Sequence, residues 1–164
     1  GQATMAAGDL ADFGFLDKLS LVAWVWIPEG GGGTIVSRMT DVSQGDGWQL
    51  AIVEGKLQFN LAKRWLDDAL RVESAATVPA GGWHHVAVAY DGSRYASGVQ
   101  LYLNGQPQEV VVLLDELYQP FAAKQPVRIG GGGGPALRFR GRIDEVRLYG
   151  YDISPEAARS RTKS

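Results

Sequence analysis

The sequence predicts an all-β chain folded as a sandwich of two antiparallel sheets. Three observations carry that expectation. Short apolar or alternating runs recur between turn signals along most of the chain, which is the pattern of sandwich strands. The stretch Trp83-His84-His85-Val86-Ala87-Val88-Ala89-Tyr90-Asp91-Gly92, followed by Val99-Gln100-Leu101-Tyr102-Leu103-Asn104-Gly105, reads as two strands, each closed by a turn dipeptide that tolerates positive φ. Helix signals are sparse. The one convincing start is Ser154-Pro155-Glu156, where Ser154 suits an N-cap, Pro155 the first helical position and Glu156 the positive end of the dipole.

Strands are expected near 20–27, 34–38, 47–53, 56–61, 69–73, 83–90, 99–103, 109–113, 127–130 and 138–149. In the first, Leu21, Ala23, Val25 and Ile27 share one face, and Val22, Trp24 and Trp26 share the other. Both faces are apolar, so this strand is expected to be central and covered on both sides. Gly30–Gly33 and Gly130–Gly134 read as loops, because glycine runs weaken a strand interior. In 83–90, Val86, Val88 and Tyr90 point one way and His85, Ala87 and Ala89 the other. The adjacent histidines therefore cannot chelate one metal together. His85 is expected to face inward with a hydrogen bond, and His84 to lie on the surface.

Composition narrows the function. The chain has 164 residues, 45% hydrophobic and 21% charged, enough for one domain over 1–164 with a sizeable core. A net charge of −2 and no basic stripe argue against nucleic acid or a membrane surface as partner. No apolar run approaches the length of a membrane span. The absence of cysteine excludes disulfides, cysteine-based zinc sites and thiol catalysis, and leaves the compartment open. No leader pattern opens the sequence, and the abrupt start at Gly1-Gln2-Ala3 is expected of a domain excised from a larger protein.

Several motifs, taken in order, resemble laminin G-like domains. Leu19-Ser20-Leu21-Val22-Ala23-Trp24-Val25 is similar to that family's early strand, and Thr34-Ile35-Val36-Ser37-Arg38 to the next. Gly47-Trp48-Gln49-Leu50 and Gly55-Lys56-Leu57-Gln58-Phe59 follow, then the 83–105 region. Val127-Arg128-Ile129-Gly130 and Phe139-Arg140-Gly141-Arg142-Ile143-Asp144-Glu145-Val146-Arg147-Leu148-Tyr149 resemble the closing signature. The resemblance covers roughly residues 19 to 155 and implies the concanavalin A-like lectin/glucanase jelly-roll fold. It is sharpened by the 34–52, 60–72 and 114–121 stretches. These are similar to the laminin G-like domain embedded in large extracytoplasmic proteins of planctomycete-type bacteria, beside cytochrome-c-like modules. The resemblance then implies an accessory binding module.

That fold also hosts glycanases, which need two carboxylates set across one sugar bond. The E-x-D-x-E strand pattern of the related hydrolases is missing here. Within Asp67-Asp68, Asp115-Glu116 and Asp144-Glu145, neighbours would point opposite ways on a strand. No G-x-S-x-G elbow supports a serine nucleophile. The glycine run at 130–134 lacks the G-K-[ST] ending of a phosphate cradle. The chain is therefore expected not to be an enzyme. The resemblance also implies one structural calcium, with Asp144 among its ligands. The family's partner aspartate would fall just before Gly1. The other reading is that Asp144 accepts backbone hydrogen bonds at a strand crossing.

The candidate binding residues are Arg64, Trp65, Asp67, Asp68 and Arg71, together with Asp115 and Tyr118. Sugar sites use this mixture: an aromatic face stacks on the apolar face of the ring, while carboxylates and guanidiniums bond the hydroxyls. The alternative is that Arg64 and Arg71 pair with Asp67, Asp68 or Asp115 and pin loops over one end of the sandwich. The expected function is a non-catalytic carbohydrate-binding module outside the cytoplasm; alternatively, the chain binds neighbouring protein domains as an interaction or architectural module.

Overall fold

The computed structural model describes residues 16–39, 45–121, 125–131 and 138–150. Within them run β1 (Leu19–Trp26), β2 (Gly33–Met39), β3 (Gly47–Val53), β4 (Lys56–Arg64), β5 (Asp68–Thr77), β6 (Trp83–Tyr90), β7 (Val99–Leu103), β8 (Gln106–Pro107), β9 (Val110–Asp115), β10 (Arg128–Ile129) and β11 (Arg142–Tyr149). The one helical piece among the described residues is a 3-10 turn, Ala96–Gly98. The strands form a five-stranded sheet ordered β11-β1-β6-β7-β8 and a six-stranded sheet ordered β10-β2-β3-β4-β5-β9. Every strand pairing is antiparallel. The two-sheet all-β architecture expected from the sequence is the one observed.

Register builds the core. Leu148, Leu21, Val88 and Leu101 lie side by side across β11, β1, β6 and β7. Val36, Leu50, Phe59 and Val72 do the same across β2, β3, β4 and β5. All eight belong to one buried cluster between the sheets. Because successive side chains alternate in direction, the intervening residues are left to the two outer faces. Tyr90 also sits in this core, with its hydroxyl accepting a hydrogen bond from the Arg94 N–H at 2.9 Å.

Several boundaries differ from the sequence reading. The strand expected over 138–149 begins at Arg142, because Arg140 instead bridges to Gly32 and Gly141 adopts φ 149°. The strand expected at 127–130 shrinks to Arg128–Ile129, and a short β8 appears after the Asn104-Gly105 turn. The connection expected between the strands at 56–61 and 69–73 is shorter than that: β4 runs to Arg64 and β5 starts at Asp68, leaving a three-residue turn. His85 does not face the interior. It lies opposite Trp24 on the outer face of the five-stranded sheet, and it is only 2% exposed because the Trp24 ring stands edge-on to it at 5.2 Å. The apolar outer face expected for β1 is present, with Val22, Ala87, Ala89 and Tyr102 buried together. The helix expected from Ser154 falls outside the described residues.

Phe59 packs at the centre of the interior row, so Phe59→Ala is expected to cost about 3–5 kcal/mol, read as a shift in the urea midpoint. Burial pushes the Tyr90 phenol up to about 12 from its usual 10. The folded state therefore holds this proton where the unfolded chain releases it. Tyr90 contributes stability fully present below pH 10 and lost as pH rises through 12. Thermal melting should fall across that window in the parent and fall less steeply in Tyr90→Phe.

Candidate functional site

The sequence-predicted residues gather around the β4–β5 hairpin. Arg64 at the end of β4 and Asp67 in the turn pair at 2.8 Å, both exposed, an interaction worth about 0–1 kcal/mol. Asp68 turns the other way and is 1% exposed. Its Oδ1 accepts the backbone N–H groups of Tyr118 at 2.8 Å and Gln119 at 3.3 Å. One buried carboxylate thus ties the 115–121 stretch to the hairpin. Asp115 is spent similarly, its Oδ1 accepting the Ala96 N–H at 3.0 Å. The Tyr118 side chain is left 62% exposed beside these anchors.

Arg71 points onto the outer face of the six-stranded sheet. Its Nε–H donates to Oδ1 of Asn60 at 2.6 Å and its Nη2–H to the Trp65 carbonyl at 2.8 Å. The guanidinium carbon lies 4.1 Å from the centre of the Trp65 ring. Trp65 is half-buried and packs against the Met39, Ala62 and Ala69 cluster. Burial lowers the Arg71 pKa from its ordinary value. No carboxylate among the described residues pairs with it, so the expected partners Asp67, Asp68 and Asp115 are all engaged elsewhere.

A chain of neutral polar groups continues from Arg71 across the sheet. Asn60 Nδ2 donates to Gln49 Oε1 at 3.1 Å and to Gln58 Oε1 at 3.0 Å, and Gln49 Nε2 donates to Thr34 Oγ1 at 3.2 Å. Thr34, Gln49, Gln58 and Asn60 are buried. Their mutual bonds offset the desolvation that isolated amides would suffer. They also hold Asn60 Oδ1 in place for Arg71.

Asp144 lies apart from this group. It sits on the outer face of the five-stranded sheet, opposite Trp24, beside a bulge where Glu145 takes φ 50°. Its Oδ1 accepts the Glu145 N–H at 2.9 Å. It lines a cleft of about 640 Å³ with Trp83, Phe139, Arg138 and Arg142. Calcium needs six to eight oxygens, and the described residues hold no group of three or more His, Asp or Glu placed for a metal. Two guanidiniums beside the one carboxylate also disfavour a cation. The described residues by themselves do not fit the ion.

Trp83, Arg138 and Arg142 were not among the sequence-predicted site residues. The signal for them was the alternation that puts Trp24 and Trp26 on one face of β1, with Trp83 at the head of β6. It reads equally well as core until pairing shows that Trp26 faces both Trp83 and Arg142.

The family described as Laminin_G_3, the concanavalin A-like lectin/glucanases superfamily, matches residues 1–158. Solved structures share the fold at low identity. The CBM40 of the Ruminococcus gnavus IT-sialidase, bound to α2,3-sialyllactose, aligns with TM-score 0.68 at 18% identity, covering 90% of this chain and 83% of that one. The binding domain of botulinum neurotoxin DC, in complex with rat synaptotagmin II, gives 0.60 at 12% identity, covering 90% of this chain and 36% of that one. A heptameric SAP-like pentraxin from Limulus polyphemus gives 0.57 at 14% identity, covering 90% and 70%. No curated protein sequence matches the chain with significance.

Asp68→Ala is expected to cost about 1–3 kcal/mol, since it leaves two backbone donors without their acceptor. Amide hydrogen exchange at Tyr118 and Gln119 should then quicken more than in the core strands, which reports local release of the 115–121 stretch.

Proposed function

The chain belongs to the concanavalin A-like lectin/glucanases superfamily, and on that premise we propose that it is a non-catalytic glycan-binding module working outside the cytoplasm. The observation that carries this reading is Arg71. A guanidinium partly removed from water, held over an indole and bonded only to neutral groups, is electrostatically incomplete. Ligand hydroxyl or carboxylate oxygens would complete it. Trp65 fixes its plane, the buried amide chain fixes Asn60, and Arg64 and Asp67, exposed at the turn of the same hairpin, add hydrogen-bonding groups. Tyr118, exposed on the stretch that Asp68 anchors, is the open aromatic. The sialyllactose bound by the R. gnavus module supports a glycan for this fold without naming one here. The lack of an E-x-D-x-E strand supports a binding role over hydrolysis.

One observation favours the second reading, a protein-interaction module. β9 is an edge strand of the six-stranded sheet, and Val111, Val112 and Leu113 are exposed on it, Val112 at 52%. Apolar edges pair readily with a strand from another domain. A neurotoxin binding domain that shares this fold over 36% of its length was solved with a synaptotagmin partner, which is compatible with this reading without placing the partner on the shared part.

A glycan array probed with the parent chain, Arg71→Gln and Arg71→Lys tests the first reading. Arg71→Gln should weaken binding at least about tenfold at a temperature where it stays folded, with a stability loss of about 1–3 kcal/mol for the Asn60 and Trp65 oxygens it leaves, and Arg71→Lys should bind in between, since lysine cannot reproduce the planar fork. Equal binding by all three would remove the glycan reading at this face. Capture of a neighbouring domain that is lost in Val112→Lys would put the interaction module ahead.

A further inference from the structure

We propose that the cleft beneath β11 is a second ligand site, separate from the Arg71 face, and that it takes an acidic sugar bearing a carboxylate or sulfate. The cleft opens where β11, at the edge of the five-stranded sheet, lies beside β10 of the other sheet. Its volume of about 640 Å³ is in the range of sites for a small saccharide. Trp83, Phe139 and Ile129 supply its apolar lining, and Arg138, Arg142 and Asp144 its charges.

Register places these groups together. Arg142, Trp26 and Trp83 are neighbours in one row across β11, β1 and β6. The Arg142 guanidinium carbon lies 5.5 Å from the centre of the Trp26 ring, which orients the fork. Trp83, next in the row, is 45% exposed, so a large indole is left with open area beside a fixed cation. Arg138 and Arg142 are both exposed, and neither pairs with a carboxylate among the described residues. The one acid in the cleft, Asp144, uses Oδ1 on the Glu145 N–H, which leaves its other oxygen open to a hydroxyl.

The composition selects the ligand class. Two guanidiniums against one carboxylate leave the cleft positive, and a guanidinium fork matches a carboxylate or sulfate in two parallel hydrogen bonds. The indole face offers a platform for the apolar side of a pyranose ring. A bare inorganic anion would leave Trp83 unused. A polyphosphate or nucleic-acid strand would meet Asp144 and a chain of net charge −2. A sugar uses all three elements, with its acid on the arginines, its ring on Trp83 and a hydroxyl on Asp144.

Isothermal titration of the whole chain tests this with four probes: polygalacturonate, heparin, neutral dextran and a single-stranded oligonucleotide. The parent should bind polygalacturonate or heparin, with affinity falling as salt rises, and should not bind dextran at this site. Polygalacturonate carries carboxylates alone and heparin carries both groups, so binding to polygalacturonate shows that a carboxylate suffices and binding to heparin alone points to sulfate. Binding should fall at least about tenfold in Trp83→Ala and in the Arg138→Gln/Arg142→Gln pair, and should persist in Arg71→Gln. These side chains are exposed, so the variants are expected to melt with the parent, and Trp83→Phe should restore part of the affinity. Three results would overturn the site: no binding to either acidic polysaccharide, binding unchanged in the Arg138/Arg142 variant, or equal affinity for the oligonucleotide. Loss of binding in Arg71→Gln alone would assign the acidic sugar to the Arg71 face and overturn the second site.

Discussion

The cross-strand register of the two interior rows is the constraint on which the rest of the structure depends. Leu148–Leu21–Val88–Leu101 in one sheet faces Val36–Leu50–Phe59–Val72 in the other, and all eight side chains are buried in a single cluster. Side chains alternate with period two, so a slip of one residue in a strand would turn its members of these rows out of the core. Hydrophobic burial therefore fixes more than the core. It also dictates which residues are delivered to each outer face.

The two outer faces carry different chemistry for that reason. On the six-stranded sheet, the residues between the core positions are Ser37, Gln49, Asn60 and Arg71, aligned side by side across β2 to β5. Buried amides in such a row are tolerable because each finds a partner in its neighbour. A guanidinium at the end of the row is another matter. Two neutral partners hold it but leave its charge unbalanced. On the five-stranded sheet, the same alternation delivers Trp24, Trp26, Trp83 and His85. There, aromatic contacts shield one another, and a single indole at the end of the row stays open to solvent.

The fold leaves function undecided, because sandwiches of this type present many unrelated sites on one scaffold. The carboxylates illustrate the point. Asp67 and Asp68 are adjacent in sequence, yet one caps an exposed pair with Arg64 and the other is sealed against the backbone of Tyr118 and Gln119. Asp115 is likewise given to a backbone N–H. Asp68 and Asp115 thus hold neighbouring backbone in place.

The amino-acid sequence by itself determined the fold class, the order of the strands and most of their limits. Period-two alternation and turn dipeptides such as Asn104-Gly105 are local signals that need no tertiary information. It also placed Arg64, Trp65, Asp67, Asp68, Arg71, Asp115 and Tyr118 in two unusual stretches. Only the tertiary structure decided how those residues are used. Whether Arg71 meets Asp67 or Asn60 depends on the β4–β5 register and the bulge near Ala62, which strand propensity does not encode. The side to which His85 turns, and the meeting of Trp26 with Trp83 and Arg142, depend on pairing between strands more than 50 residues apart in the chain. A strand with two apolar faces looks the same in sequence whether its second face is sealed or left open to solvent, and strand pairing with the residual exposure of Trp83 decides it.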